Sequence, residues 1–284
     1  MRVAARTGLG VLTAGWLLGA AQPACAGGGW IRPAGGAYAK VGLTAVNTSR
    51  YYTLSGTELT TNPFSQQVVS LYAEAGLGHH LEAVLNFPAY RRAKFSTSTA
   101  TQGVGDVQLG LRYGVLRGAW PMALSVSAEL PTGNPKARGT NTNNSQLEIA
   151  LPTGDGEFNV WTQVALSHSF SPKLYATVEA GYNARTEGFT NQYSYSGQLG
   201  YQLLGKAWLT GTVRTLDNVR APRPGGLASI GIGEGVAYST AALGANYAAT
   251  DHLWLTAEWA TGFGKLRNVY AGSQFTVGVA WEWK

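Results

Sequence analysis

The residues best suited to acid–base or metal chemistry are four histidines: the adjacent pair His79 and His80, His168 followed by Ser169, and His252. A zinc site needs three or four converging ligands, and an adjacent pair on a turn offers one or two. A hydrolase needs a hydroxyl within reach of an imidazole. Neighbours on a strand face opposite ways, so Ser169 cannot use His168 as its base. Gly231-Ile232-Gly233-Glu234-Gly235 carries the glycines of a phosphate cradle, but it follows a loop and precedes no helix. The residues therefore point to no catalytic group, no metal site and no cofactor.

A second set is better placed to line a passage. Lys40, Tyr72, Glu74, Glu82, Asp106, Arg112, Glu129, Trp161, Glu179, Arg185, Trp208, Arg214, Trp254 and Glu258 fall on one parity of alternating segments, as does Glu282. Among their charges the acids outnumber the bases, which disfavours an anion-selective pore. Gly76, Gly110, Gly181, Gly200, Gly244 and Gly278 share that parity and project no side chain. Their expected effect is open space, with aromatic and polar side chains lining what remains.

The elements that position this set are strands. In 274–284, Phe275, Val277, Val279, Trp281 and Trp283 lie on one face, with Gln274, Thr276, Gly278 and Glu282 on the other. The period is two, not the three-and-four spacing of a helix. The same alternation predicts twelve strands: 37–48, 68–77, 81–92, 104–115, 121–132, 158–170, 173–186, 193–204, 206–217, 236–249, 253–264 and 273–283. Short and long links alternate between them, as in outer-membrane barrels with brief periplasmic turns and longer outer loops. Ten to fourteen residues suit a tilted membrane strand with overhang. Lys or Arg facing lipid at mid-depth costs roughly 2 to 4 kcal/mol, which explains why the charges keep to one parity. A soluble sandwich also turns polar residues outward. Strand length and the aromatic ends at Tyr113, Tyr182, Trp259, Trp281 and Trp283 favour the membrane. The expected fold is all-β: a transmembrane, antiparallel, up-and-down barrel of about twelve strands.

Composition agrees. Charged residues are 13% of the chain, about half the share in ordinary soluble domains. Arg2 and Arg6, the apolar run 9–20 and Ala24-Cys25-Ala26 read as a secretory signal over residues 1–26, with one barrel domain over 27–284. Cleavage there removes the only cysteine. The competing lipoprotein reading would acylate Cys25, but Gln22 stands where its motif wants leucine. The basic residues are scattered, so nucleic acid is not an expected partner. The expected partners are outer-membrane lipid, the barrel-assembly machinery and a small hydrophobic solute.

That solute rests on a resemblance. The segment Gly103-Val104-Gly105-Asp106-Val107-Gln108-Leu109-Gly110-Leu111-Arg112-Tyr113 is preceded by Asn86-Phe87-Pro88 and followed by Glu129-Leu130-Pro131-Thr132-Gly133. It resembles a pattern in the outer-membrane barrel proteins of the phenol-degradation meta-pathway. Gly28-Gly29-Trp30, with Gly35, Tyr38 and Lys40, is similar to the start of a related group of uncharacterised small barrels. Together these motifs cover under half the chain. The resemblance implies passive passage of small apolar or aromatic molecules across the cell outer membrane. Lys284 after Trp283 departs from the terminal aromatic that the assembly machinery reads. Two other readings fit a barrel: a closed structural or surface-interaction protein displaying 133–157, and a lipid-active enzyme. The echo of Leu130-Pro131-Thr132-Gly133 in Leu151-Pro152-Thr153-Gly154 predicts two strand stops bracketing one outer loop.

Overall fold

A computed structural model describes residues 28–221 and 230–283. The expected signal at 1–26, with Cys25, and Lys284 lie outside them. The described chain is strand and loop throughout: β1 Ala37–Tyr52, β2 Glu58–Gly78, β3 Leu81–Phe95, β4 Thr101–Gly103, β5 Val107–Leu116, β6 Met122–Leu130, β7 Arg138–Thr140 and β8 Glu148–Ala150 form the first half. The second half holds β9 Asn159–Ser171, β10 Leu174–Arg185, β11 Gln192–Leu203, β12 Ala207–Asn218, β13 Ala237–Ala248, β14 Leu253–Arg267, β15 Val269–Tyr270 and β16 Gln274–Trp283. Every pairing is antiparallel, and β1 closes the wall by bonding both β2 and β16. Twelve of these strands make the barrel; β4, β7, β8 and β15 are short additions at the long-loop end. Closure removes both free edges, which is what a sheet in lipid requires.

The outer surface follows from the alternation. Val41, Leu43, Leu109, Leu111, Leu124, Val126, Val178, Leu243, Val277 and Val279 are all exposed on the wall. Aromatics lie toward its rims, with Tyr113, Trp120, Phe170, Trp281 and Trp283 near the short turns and Tyr90, Tyr182 and Tyr193 near the long loops. The predicted polar parity of Lys40, Glu74, Glu82, Arg112, Glu129, Glu179, Arg214 and Glu258 is opposite to this face.

Three expectations need correction. The predicted loop over 49–67 is mostly strand, because β1 and β2 stay paired as far as Tyr52 and Glu58 and only 53–57 turn. The predicted loop over 133–157 contains the β7–β8 hairpin, bridged to Ser98 through Asn141. In β3, a bulge over Pro88 and Ala89 shifts the register between Phe87 and Tyr90. Proline donates no ladder hydrogen bond, so it sits where pairing lapses. The bulge reverses parity, so that Asn86 and then Arg91 line the interior.

A buried apolar cluster lies at the long-loop end, where Phe64, Ala93, Leu151 and Ile230 pack against Val46, Phe95, Ile149, Ile232 and Tyr270. The Phe64 ring packs in tilted contact with Tyr270 and Phe95, centroids 4.8 and 5.3 Å away. The long 131–158 connection is thereby held against the barrel wall.

Candidate functional site

The segment before β1 crosses the short-turn end of the lumen. Gly29 N donates to Ser167 Oγ on β9 (2.9 Å), and Trp30 packs edge-on against Tyr175 of β10 at 5.6 Å. Gly35 N donates to Gly76 O and Gly76 N returns a bond to Gly36 O, at 3.0 and 2.9 Å. Arg32 is the centre of this strap. Its Nε donates to Glu74 (2.8 Å), its Nη1 to Glu282 (2.9 Å) and its backbone N to Glu82 (2.8 Å). Arg112 donates to Glu82 and Glu74 from the other side, at 2.7 and 3.2 Å, and Tyr72 Oη donates to Glu74 at 2.6 Å. Three acids from β2, β3 and β16 thus face two guanidiniums, and each carboxylate is satisfied by charge-assisted bonds.

Gly76 and Gly200 serve close packing and not an open bore. A Cβ on Gly76 would lie 2.0 Å from Pro33 O, and one on Gly200 would lie 2.0 Å from the Tyr175 ring. Their missing side chains are filled by the strap and by a neighbouring aromatic. A mostly apolar cavity of about 760 Å³ remains beside the strap, bounded by Trp30, Ile31, Pro33, Leu116, Tyr175 and Trp208.

Further toward the long loops lies a polar cavity of about 720 Å³. Four arginines line it (Arg91, Arg112, Arg185, Arg214), as do four acids (Asp106, Glu129, Asp155, Glu179), with serines, asparagines and glutamines between them. Asp106 joins the two sequence echoes, accepting from Gly133 N (2.9 Å) and Asp155 N (2.8 Å). Thr132 Oγ1 donates to Gly105 O, and Asn134 N donates to Thr153 Oγ1. The echoes therefore meet at one carboxylate where the outer loop leaves and rejoins the wall. Arg185 pairs with Asp155 at 3.1 Å and contacts Glu157. Trp161 Nε1 donates to Glu129 at 3.1 Å. Burial pushes the Asp155 carboxyl above the ordinary carboxylate range, although Arg185 opposes the shift.

The predicted lining residues thus divide by depth. Tyr72, Glu74, Glu82 and Arg112 join the strap network. Asp106, Glu129, Trp161, Glu179, Arg185 and Arg214 line the polar cavity. Trp208 packs on Tyr175 at 5.5 Å at the strap end. Lys40 and Glu258 interact electrostatically, and the Trp254 indole nitrogen is buried without a partner among the described residues. Lys40, Glu258 and Trp254 line neither cavity. Sequence reasoning missed Arg32, Arg91, Asp155 and Asn159. The first and third lie off the strands, Arg91 follows the parity reversal, and Asn159 is uncharged.

The histidines do not converge. His79 and His80 form the β2–β3 turn, His168 stacks on Trp120 at 4.1 Å, and His252 stacks on Trp281 at 5.9 Å. His168 Nδ1 bonds Ala119 O, while Ser169 lines the cavity beside the strap.

No family model matches this sequence, and no curated protein matches it. In fold it is similar to an outer membrane channel from Pseudomonas putida F1, with TM-score 0.63 and 14% identity over 89% of this chain and 97% of that chain. It is similar to the translocator domain of the autotransporter NalP from Neisseria meningitidis, at 0.52 and 12% over 87% and 88%. It is also similar to the NanC porin, at 0.50 and 11% over 86% and 98%. At such identities the likeness establishes the closed barrel of outer-membrane proteins and leaves function to the site.

Proposed function

We propose that the protein is a non-enzymatic outer-membrane channel that gives passive passage to a small polar solute. The polar cavity inside the closed wall carries this reading. A solute with hydrogen-bonding groups can exchange water for the Ser, Asn, Gln and Arg side chains there, whereas an apolar one would leave those groups unmet. Two of the similar solved barrels are an outer membrane channel and a porin, which supports a channel role. On this reading the strap is the constriction, since Arg32 and Arg112 with their carboxylate partners occupy the short-turn end of the lumen. Reconstitution in planar bilayers tests this: small, stable conductance is expected, rising several-fold when residues 28–36 are deleted or when Arg32 becomes Ala. Folded protein that neither conducts nor admits sugars in liposome swelling overturns it.

A second reading keeps the apolar or aromatic solute expected from the sequence. The cavity beside the strap favours it, since Trp30, Ile31, Tyr175 and Trp208 offer an aromatic and aliphatic surface. Uptake of a small aromatic compound without uptake of sugars would favour this reading over the first.

A further inference from the structure

We propose that Asp106, Glu129 and Asp155, together with the amide oxygen of Asn159, bind a hard divalent cation of the calcium kind. One carboxylate oxygen from each acid lies within 4.8 Å of the others. Ligands held about 2.4 Å from a shared ion fall within that span. The three acids come from different elements: Asp106 from the link before β5, Glu129 from β6 and Asp155 from the link before β9. A bound ion would join the wall to the returning end of the outer loop.

Asn159 is an independent pointer to a ligand. It is 1% exposed, and its Oδ1 has no hydrogen-bond partner. It stands in register with Glu129 across β6 and β9, and its side chain reaches Asp155. A buried amide oxygen without a donor is costly, and a hard cation is a partner it can take. The charges point the same way. Asp106, Glu129, Asp155 and the adjacent, 1% exposed Glu157 face two guanidiniums, Arg91 and Arg185. Glu157 Oε1 contacts Arg185, whereas its buried Oε2 has no hydrogen-bond partner among the described residues. These four acids locally exceed the two guanidiniums, and a divalent ion would offset that excess. An all-oxygen donor set selects calcium or magnesium over softer metals, and ligands from separate elements suit the flexible geometry of calcium.

Trp161, bonded to Glu129, supplies the readout. Terbium titrated into the folded, detergent-solubilised full chain should give saturable emission on tryptophan excitation, displaced by calcium. Asp155→Asn and Glu129→Gln should each weaken terbium and calcium binding by about 10-fold or more, the scale on which metal sites respond to disturbed ligation. Trp161→Phe should dim the emission while calorimetric calcium binding persists. Heat-modifiable mobility on gels verifies that each variant is folded, and Glu129→Gln keeps an acceptor for Trp161 if Asp155→Asn loosens the loop. Absence of saturable emission, or emission that both carboxylate variants leave unchanged, overturns the site. Neither result depends on whether a solute passes through the barrel.

Discussion

His79 and His80 both hold positive φ, 50° and 66°, in a two-residue turn between paired Gly78 and Leu81. Such a turn asks for Asn-Gly, because left-handed backbone crowds any Cβ. His80→Gly should therefore stabilise the barrel by about 1 to 2 kcal/mol, seen as a higher urea midpoint in lipid or detergent. An unchanged or lower midpoint would mean that the contact between His80 and Arg117 outweighs the strain. Residue positions were legible wherever parity governs them, as at Glu74, Arg112 and Glu129. They were not legible where it fails. Arg91 is turned inward by a bulge three positions earlier, and Arg32 belongs to a segment with no alternation at all.

The elements were legible to the extent that lipid writes them. A strand crossing hydrocarbon must alternate, and all twelve barrel strands do. Above the membrane that demand ends, so Glu58 to Gln67 remains strand while its Thr, Asn and Pro read as loop. What stabilises this overhang is the cluster around Phe64, which is 1% exposed. Phe64→Ala should cost about 3 to 5 kcal/mol, the usual range for emptying a buried aromatic site. The loss should appear as faster hydrogen exchange in 58–67 and 149–152, with strands near the short turns unaffected. Uniform loosening of the whole wall would show that the overhang is not a separate unit of stability.

Across the whole molecule, one wall separates two solvents, and matched substitutions should reveal it. Leu111 faces outward at 51% exposure, while Gln108 lines the polar cavity. Leu111→Arg should destabilise folding into bilayers by about 2 to 4 kcal/mol near mid-depth. Gln108→Arg should leave stability nearly unchanged and alter ion selectivity. Equal losses in both would contradict an aqueous interior. The fold class was legible in the sequence because this division is global. The contents of the interior were not, since they depend on which side chains meet across the barrel.

The bond between Arg32 and Glu282 spans 250 positions, nearly the entire polypeptide. The strap lies inside a ring that is complete only when β16 meets β1. Biogenesis therefore has an order built into it: the wall closes around the segment, or the segment threads in from the periplasm afterwards. In the first case the finished protein resembles a bolt cast inside its own ring, with Arg32 fastened to the strand that closes it.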